Sequence, residues 1–278
     1  MQVALIPPIN LLTRYGTKTQ YHLCLTHLVE QSEYYTEFYR NRSLAGDFVM
    51  MDNSVIELKE PVELKRVLAA AKKVRAQEII LPDRLQDRIG TIQLLRESFN
   101  TLNLLQQSRQ FSPDAYNPKI QVVPQGETIE DWFACLEDMM TFKHDWQTIG
   151  VPRCTNDLKD ATRADVLQRI DEVFKGDPPF EVHLLGLSNN VTELRLYRDK
   201  YPWIRGVDSK LPIRCGINMI GFHPDKGLLL TSTKCMRPMD MFEEEDLHPA
   251  LTYYNIDIMK EMAGDLPLAE VIQWPLQT

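Results

Sequence analysis

Apolar positions along the chain gather into short runs. Residues 3–8, 48–52, 78–83, 119–126, 148–153, 181–188 and 206–210 are rich in aliphatic and β-branched side chains, and each run closes on polar or turn-forming residues. Residues 228–231 have the composition of a further run. The stretches between them change period. In 61–75, Val62, Val67, Leu68 and Val74 are spaced among Lys and Arg, with Pro61 at a plausible first helical position. In 128–142, Trp132, Phe133, Leu136, Met139 and Met140 recur at helical spacing, and Thr128 with Asp131 three residues later forms a variant capping box. Stretches 87–107, 160–174 and 191–201 read as further helices. His22 and His27 fall in what reads as an early helix, His183 lies inside a strand run, and 108–118, with two prolines and an asparagine, reads as a loop.

Strands alternating with helices predict parallel βαβ units, and strands apolar on both faces predict a sheet covered on both sides. Seven or eight such units predict a (β/α)₈ TIM-type barrel over residues 1–235, with 236–278 as a short C-terminal appendage packed on it. That appendage carries the acidic run 243–246 and a helix near 253–262. An open doubly wound sheet is the alternative, but no strand is followed by G-x-G-x-x-G or a P-loop.

Composition narrows the class further. The 278 residues are 44% hydrophobic and 25% charged, as in an ordinary globular protein. No apolar run reaches the roughly 18 residues of a membrane span, and the N-terminus lacks the basic and small-residue pattern of a signal peptide. Five cysteines, Cys24, Cys135, Cys154, Cys215 and Cys235, are widely spaced with no CxxC pair, which points to a reducing compartment and a cytoplasmic protein. The net charge of −8 does not suit a protein that coats nucleic acid, although a local basic patch can still grip it.

In a parallel barrel the chemistry gathers at the C-terminal strand ends. Here those ends read Met51-Asp52-Asn53-Ser54, Leu81-Pro82-Asp83-Arg84, Val123-Pro124-Gln125-Gly126, Ile149-Gly150-Val151-Pro152, Leu184-Leu185-Gly186-Leu187 and Val207-Asp208-Ser209-Lys210. Each polar residue has a local explanation: Asp after a strand often caps the next helix, Asp83 can pair with Arg84 or Arg88, and Gln125 before Gly126 can be turn chemistry. Glycine or proline beside several of them suggests close approach of backbone to a ligand. Together, carboxylates can act as nucleophile and as acid or base, and a carboxylate with an amide can read the N–H edge of a purine-like ring.

At these residues the chain resembles the tRNA-guanine transglycosylase superfamily, and within it the 7-deazaguanine DNA transglycosylases of bacteria and phages. The resemblance runs over 48–214 and is sharpest at Asp208-Ser209-Lys210-Leu211-Pro212-Ile213-Arg214, similar to an Asp followed, after two intervening residues, by Leu-Pro-Thr-Arg. The resemblance implies Asp208 as nucleophile and Asp52 as general acid/base. It implies Asp83 and Gln125 as base readers, and Gly150, Val151, Leu185 and Gly186 as the lining of the base pocket. It further implies exchange of guanine in DNA for a preQ₀-like 7-deazaguanine through a glycosyl–aspartate intermediate, with no cofactor. Asn53-Ser54-Val55 stands where the family has Ser-Gly-Gly. The zinc cluster of the tRNA enzymes is missing: only Cys215, Cys235, His223 and His248 follow Asp208, at spacings unsuited to a compact zinc module, so no metal is expected.

DNA as partner requires cations. Arg195, Arg198, Lys210 and Arg214 surround the Asp208 run, and Arg14 and Lys18 lie in a loop with Tyr15. Lys59, Lys65, Arg66, Lys72, Lys73 and Arg75 read as a solvated helix face. Other readings are an RNA-directed relative, a non-catalytic nucleic-acid binder, and a metal-dependent barrel hydrolase or lyase acting on a free small molecule, with Asp52, Asp83 and Asp208 as oxygen ligands.

Overall fold

The structure is a computed structural model, and it describes residues 1–109, 116–187, 191–228 and 236–266. Eight strands make one sheet: β1 (Gln2–Leu5), β2 (Tyr21–Leu25), β3 (Phe48–Asp52), β4 (Glu78–Ile80), β5 (Lys119–Val122), β6 (Thr148–Pro152), β7 (Glu181–Leu185) and β8 (Ile204–Ser209). Their order is β1-β8-β7-β6-β5-β4-β3-β2, with helices between them. The pairs β1–β8, β3–β4, β4–β5 and β5–β6 run parallel. This is the (β/α)₈ barrel that the alternation predicts. The helices are α1 (Leu12–Tyr15), α2 (Thr26–Gln31), α3 (Glu33–Leu44), α4 (Val55–Leu58), α5 (Leu64–Val74), α6 (Arg88–Arg109), α7 (Ile129–Met140), α8 (Arg163–Phe174), α9 (Glu193–Lys200), α10 (Leu211–Ile217) and α11 (Pro249–Ala263).

Three local expectations change. Tyr21–Leu25 is a fully buried strand, so His22 lies in β2 and only His27 sits on a helix. A histidine in the middle of the run hides its strand character. The candidate run 228–231 supplies only Leu228 to the described residues, in a two-residue pairing of Gly227–Leu228 with Phe222–His223 that runs antiparallel and lies outside the eight-stranded sheet. Helix α5 begins at Leu64, with Glu63 at its N-cap, so Pro61 precedes the helix rather than opening it. The middle of the expected loop 108–118, Cys235 and the end of the appendage lie outside the described residues.

The chain divides into two compact units, Leu23–His183 and Met1–His22 with Leu184–Thr278. In the first, α5 turns Val67, Ala70, Ala71 and Val74 inward, and α7 buries Trp132, Cys135, Leu136 and Met139. Thr128 caps α7 by accepting from the Asp131 N–H at 3.2 Å. Thr162 and Asp165 close a reciprocal capping box on α8. The strands are not apolar throughout: Glu78, Gln121 and Thr148 are fully buried, and the Thr148 hydroxyl donates to Glu78 Oε2 at 3.1 Å. In the second unit, α10 presses on α11 at Gly216, where an added Cβ would sit 2.0 Å from Thr252 Oγ1. Asn255 of α11 accepts from the Phe222 N–H at 2.7 Å and donates to the Ile220 carbonyl at 2.8 Å.

Candidate active site

Proline sets where two site residues emerge. It has no N–H to give to a ladder, so Pro82 and Pro124 end the pairing of β4 and β5. Asp83 and Gln125 each lie three positions beyond the last strand residue, Ile80 and Val122, and both are buried. Gln125 Nε2 donates to Asp83 Oδ2 at 2.6 Å. From the end of β3, Asn53 Nδ2 donates to Asp83 Oδ1 at 2.7 Å and to the Leu81 carbonyl at 2.8 Å. One carboxyl is thus gripped by amides from two flanking strand ends.

Both amides are fixed from behind. Asn53 Oδ1 accepts from the Val55 N–H at 3.0 Å, and Gln125 Oε1 accepts from the Gln86 N–H at 3.0 Å. These bonds define which end of each amide faces Asp83, because reversing either would set N–H against N–H. Gln86 and Ser54 adopt left-handed φ values of 55° and 59°, uncommon for residues with a Cβ, at the turns that deliver these contacts. Asp52 is half-buried: its Oδ2 accepts from the Ser54 N–H at 2.7 Å, and its carbonyl accepts from the Thr26 hydroxyl at 2.6 Å.

Burial pushes the Asp83 carboxyl up to about 6, against the pull of the Asn53 and Gln125 hydrogen bonds, which favour the charged form. Cys154, just after β6, is half-buried; burial raises its thiol to about 11, and the Asp83 charge adds to the rise. Gly150 and Val151 are buried within β6. Gly126 serves its own fold: a Cβ there would lie 2.4 Å from the Trp132 backbone nitrogen, so the glycine admits the start of α7 rather than a ligand.

In the other unit, Asp208 is buried at the end of β8, and its Oδ1 accepts from the Gly186 N–H at 3.1 Å. Gly186 follows Leu185 with φ 72°, a conformation glycine adopts without strain. The basic residues there are engaged by the protein itself. Arg14 pairs with Asp246 at 2.6 Å, Arg195 with Glu261 at 2.5 Å and Arg198 with Asp199 at 2.7 Å. Arg214 donates to the carbonyls of Met236 and Arg237, and Lys18 lies over the Tyr253 ring. Lys210 is exposed. The expected phosphate-binding group is largely a set of intramolecular contacts. Among the described residues no three His, Cys, Asp or Glu side chains are grouped to hold a metal ion.

No family model matches the chain. No curated protein matches it. Among solved structures it is similar to N-acetylneuraminate lyase from Mycoplasma synoviae, at 11% identity and a TM-score of 0.44 over 76% of this chain and 68% of that one. It is also similar to dihydrodipicolinate synthase from Aquifex aeolicus, at 14% identity and a TM-score of 0.38 over 79% and 76% of the two chains. The transglycosylase expectation is corrected accordingly. No model of that superfamily matches the chain, and the solved structures named here are a lyase and a synthase. DNA and a 7-deazaguanine base as partners and pentosyl transfer fall with that expectation. Asp83 and Gln125, expected to read a base edge, bond to each other and to Asn53 and Gln86. Asn53 and Gln86 were not expected at the site, because their partnership depends on the register between strand ends; the only hint in the sequence is that Asn53 directly follows Asp52 at one of them.

Proposed function

We propose that the chain is an enzyme acting on a free small molecule, with Asp83 moving a proton in a lyase- or hydrolase-type bond cleavage. The observation that carries this reading is the setting of Asp83. It is a carboxyl 3% exposed, just past the C-terminal end of a barrel strand, held by two side-chain amides and by no cation among the described residues. A structural carboxylate buried this deeply is ordinarily paired with Lys or Arg. Amide partners leave Asp83 able to take up and release a proton, and a carboxyl near 6 exchanges it close to neutral pH. Asp52 offers a second carboxylate at the next strand end, and Gly150 and Val151 contribute wall. The widely spaced cysteines, buried in β2 and α7, support a cytoplasmic enzyme.

The reading is tested by screening polar metabolites for thermal stabilisation of the wild type and of Asp83→Asn, then following the binders by NMR in deuterated buffer. Expected are ligands whose conversion or deuterium uptake disappears in the variant while its circular dichroism stays native. Conversion that survives the substitution would remove Asp83 from the chemistry.

A further inference from the structure

The grip on Asp83 is as firm as the turn that carries Asn53, and that turn is held from a third strand end. Strand β2 passes directly into α2, whose first residue, Thr26, is fully buried. A threonine at a helix start ordinarily serves its own helix, as a cap or by bonding back along the chain. The Thr26 hydroxyl instead donates to the Asp52 carbonyl at 2.6 Å, at the end of β3. The next residue, His27, donates its N–H to Ser54 Oγ at 3.4 Å. Both contacts fall on residues 52–54, the stretch that places the Asn53 amide on Asp83.

Peptide geometry carries the effect inward. The Asp52 carbonyl and the Asn53 N–H share one rigid plane, so fixing the carbonyl fixes the direction in which Asn53 leaves the strand. Ser54 then adopts φ 59°, which a residue with a Cβ keeps only where its surroundings impose it. Asn53 and Ser54 are both buried, so solvent does not readily replace a lost contact at the turn. The groups that bear on the Asp83 carboxyl are Asn53, Gln125, its own backbone N–H and the Cys154 thiol. Of these, Asn53 is the one carried on this turn.

We propose that Thr26 is a positioning residue for Asp83. Its hydroxyl pins the Asp52–Asn53 peptide, the pinned peptide holds the Asn53 amide against the carboxyl, and that amide favours the charged form. Thr26 thereby sets how tightly Asp83 keeps its proton. The inference rests on the reading of Asp83 as the group that moves a proton. A Thr26 that only secured the junction of β2 and α2 would add stability and leave the proton affinity of the carboxyl where it is.

Carbon NMR of the Asp83 carboxyl in the full chain, assigned by its loss in Asp83→Asn, tests this. Thr26→Val keeps the shape and removes the hydroxyl. It should raise the Asp83 midpoint from about 6 by about 0.5 pH unit, a roughly threefold tighter hold on the proton. Thr26→Ala should move the midpoint in the same direction, which keeps the test open if valine disturbs the packing. Thr26→Ser restores the hydroxyl and should return the midpoint to within about 0.1 unit of the wild type. Thr19→Val is the control. In the other unit, the buried Thr19 hydroxyl also donates to a strand carbonyl, that of Val3, at 2.6 Å, so its loss should lower stability without moving the midpoint. A midpoint unchanged in both Thr26→Val and Thr26→Ala, one that Thr26→Ser fails to restore, or one that Thr19→Val shifts as far would overturn the proposal. The readout follows the carboxyl itself, so it separates failure of this contact from failure of the enzyme reading, which conversion by Asp83→Asn decides.

Discussion

Asp83 links burial to a measurable pH dependence. Its folded-state value, about 6, lies above the 3.8 of an ordinary aspartate. The folded protein therefore holds this proton more tightly than the unfolded chain. Stability from this group is complete below about 4 and is lost as pH rises through about 6. A shift of that size corresponds to about 3 kcal/mol. Urea denaturation of the wild type between pH 4 and 8 should show this decline, and Asp83→Asn should lack it. The variant should also be less stable at pH 4 by about 1–3 kcal/mol, because one amide N–H then faces another N–H in a fixed network. Asn53→Ala makes a complementary test. Removing a donor that favours the carboxylate should move the Asp83 titration upward from about 6, as read by carbon NMR of its carboxyl. A downward move would contradict the hydrogen-bond arrangement described for the site.

At the scale of elements, Gly126 shows how a site residue is set by helix docking. An alanine Cβ at 126 would press on the backbone at the start of α7, and backbone yields less readily than a side-chain tip. Gly126→Ala is therefore expected to cost about 3 kcal/mol, an overpacking penalty, in equilibrium denaturation. A cost below about 0.5 kcal/mol, that of an ordinary surface change, would show that α7 does not bear on this turn. The same region shows what the residues alone disclose. Phe48–Asp52 is read correctly from its apolar run, and Asp83 and Gln125 are visible as strand-end residues because proline precedes each. Tyr21–Leu25 is not visible, because burial on both faces removes the alternation that distinguishes a strand and a polar His22 interrupts it. Asn53 as a partner of Asp83 is equally hidden: the bond joins positions 30 apart, and only the inter-strand register brings them together.

For the whole molecule, charge and its pairing decide which partners are excluded. The chain carries 31 Lys and Arg against 39 Asp and Glu. Binding to nucleic acid gains from releasing counterions as free cations meet phosphates. Arg14, Arg195 and Arg198 already face carboxylates, and Arg214 faces backbone carbonyls. Exposed pairs of this kind are individually weak, at most about 1 kcal/mol, so they do not by themselves forbid a phosphate contact. Each carboxylate nevertheless remains beside its arginine after the contact forms, and the new phosphate meets a neutralised site. The cations on the α5 face are similarly diluted, with Arg66 bridged to Glu30 at 2.7 Å. Duplex and single-stranded DNA should therefore show no retardation in mobility-shift assays at about 0.15 M salt, the physiological screening range, with weak smearing at most when salt is lowered tenfold. A complex that survives physiological salt would require a set of cations released from these pairs, and substituting Asp246 and Glu261 by Asn and Gln would then strengthen it.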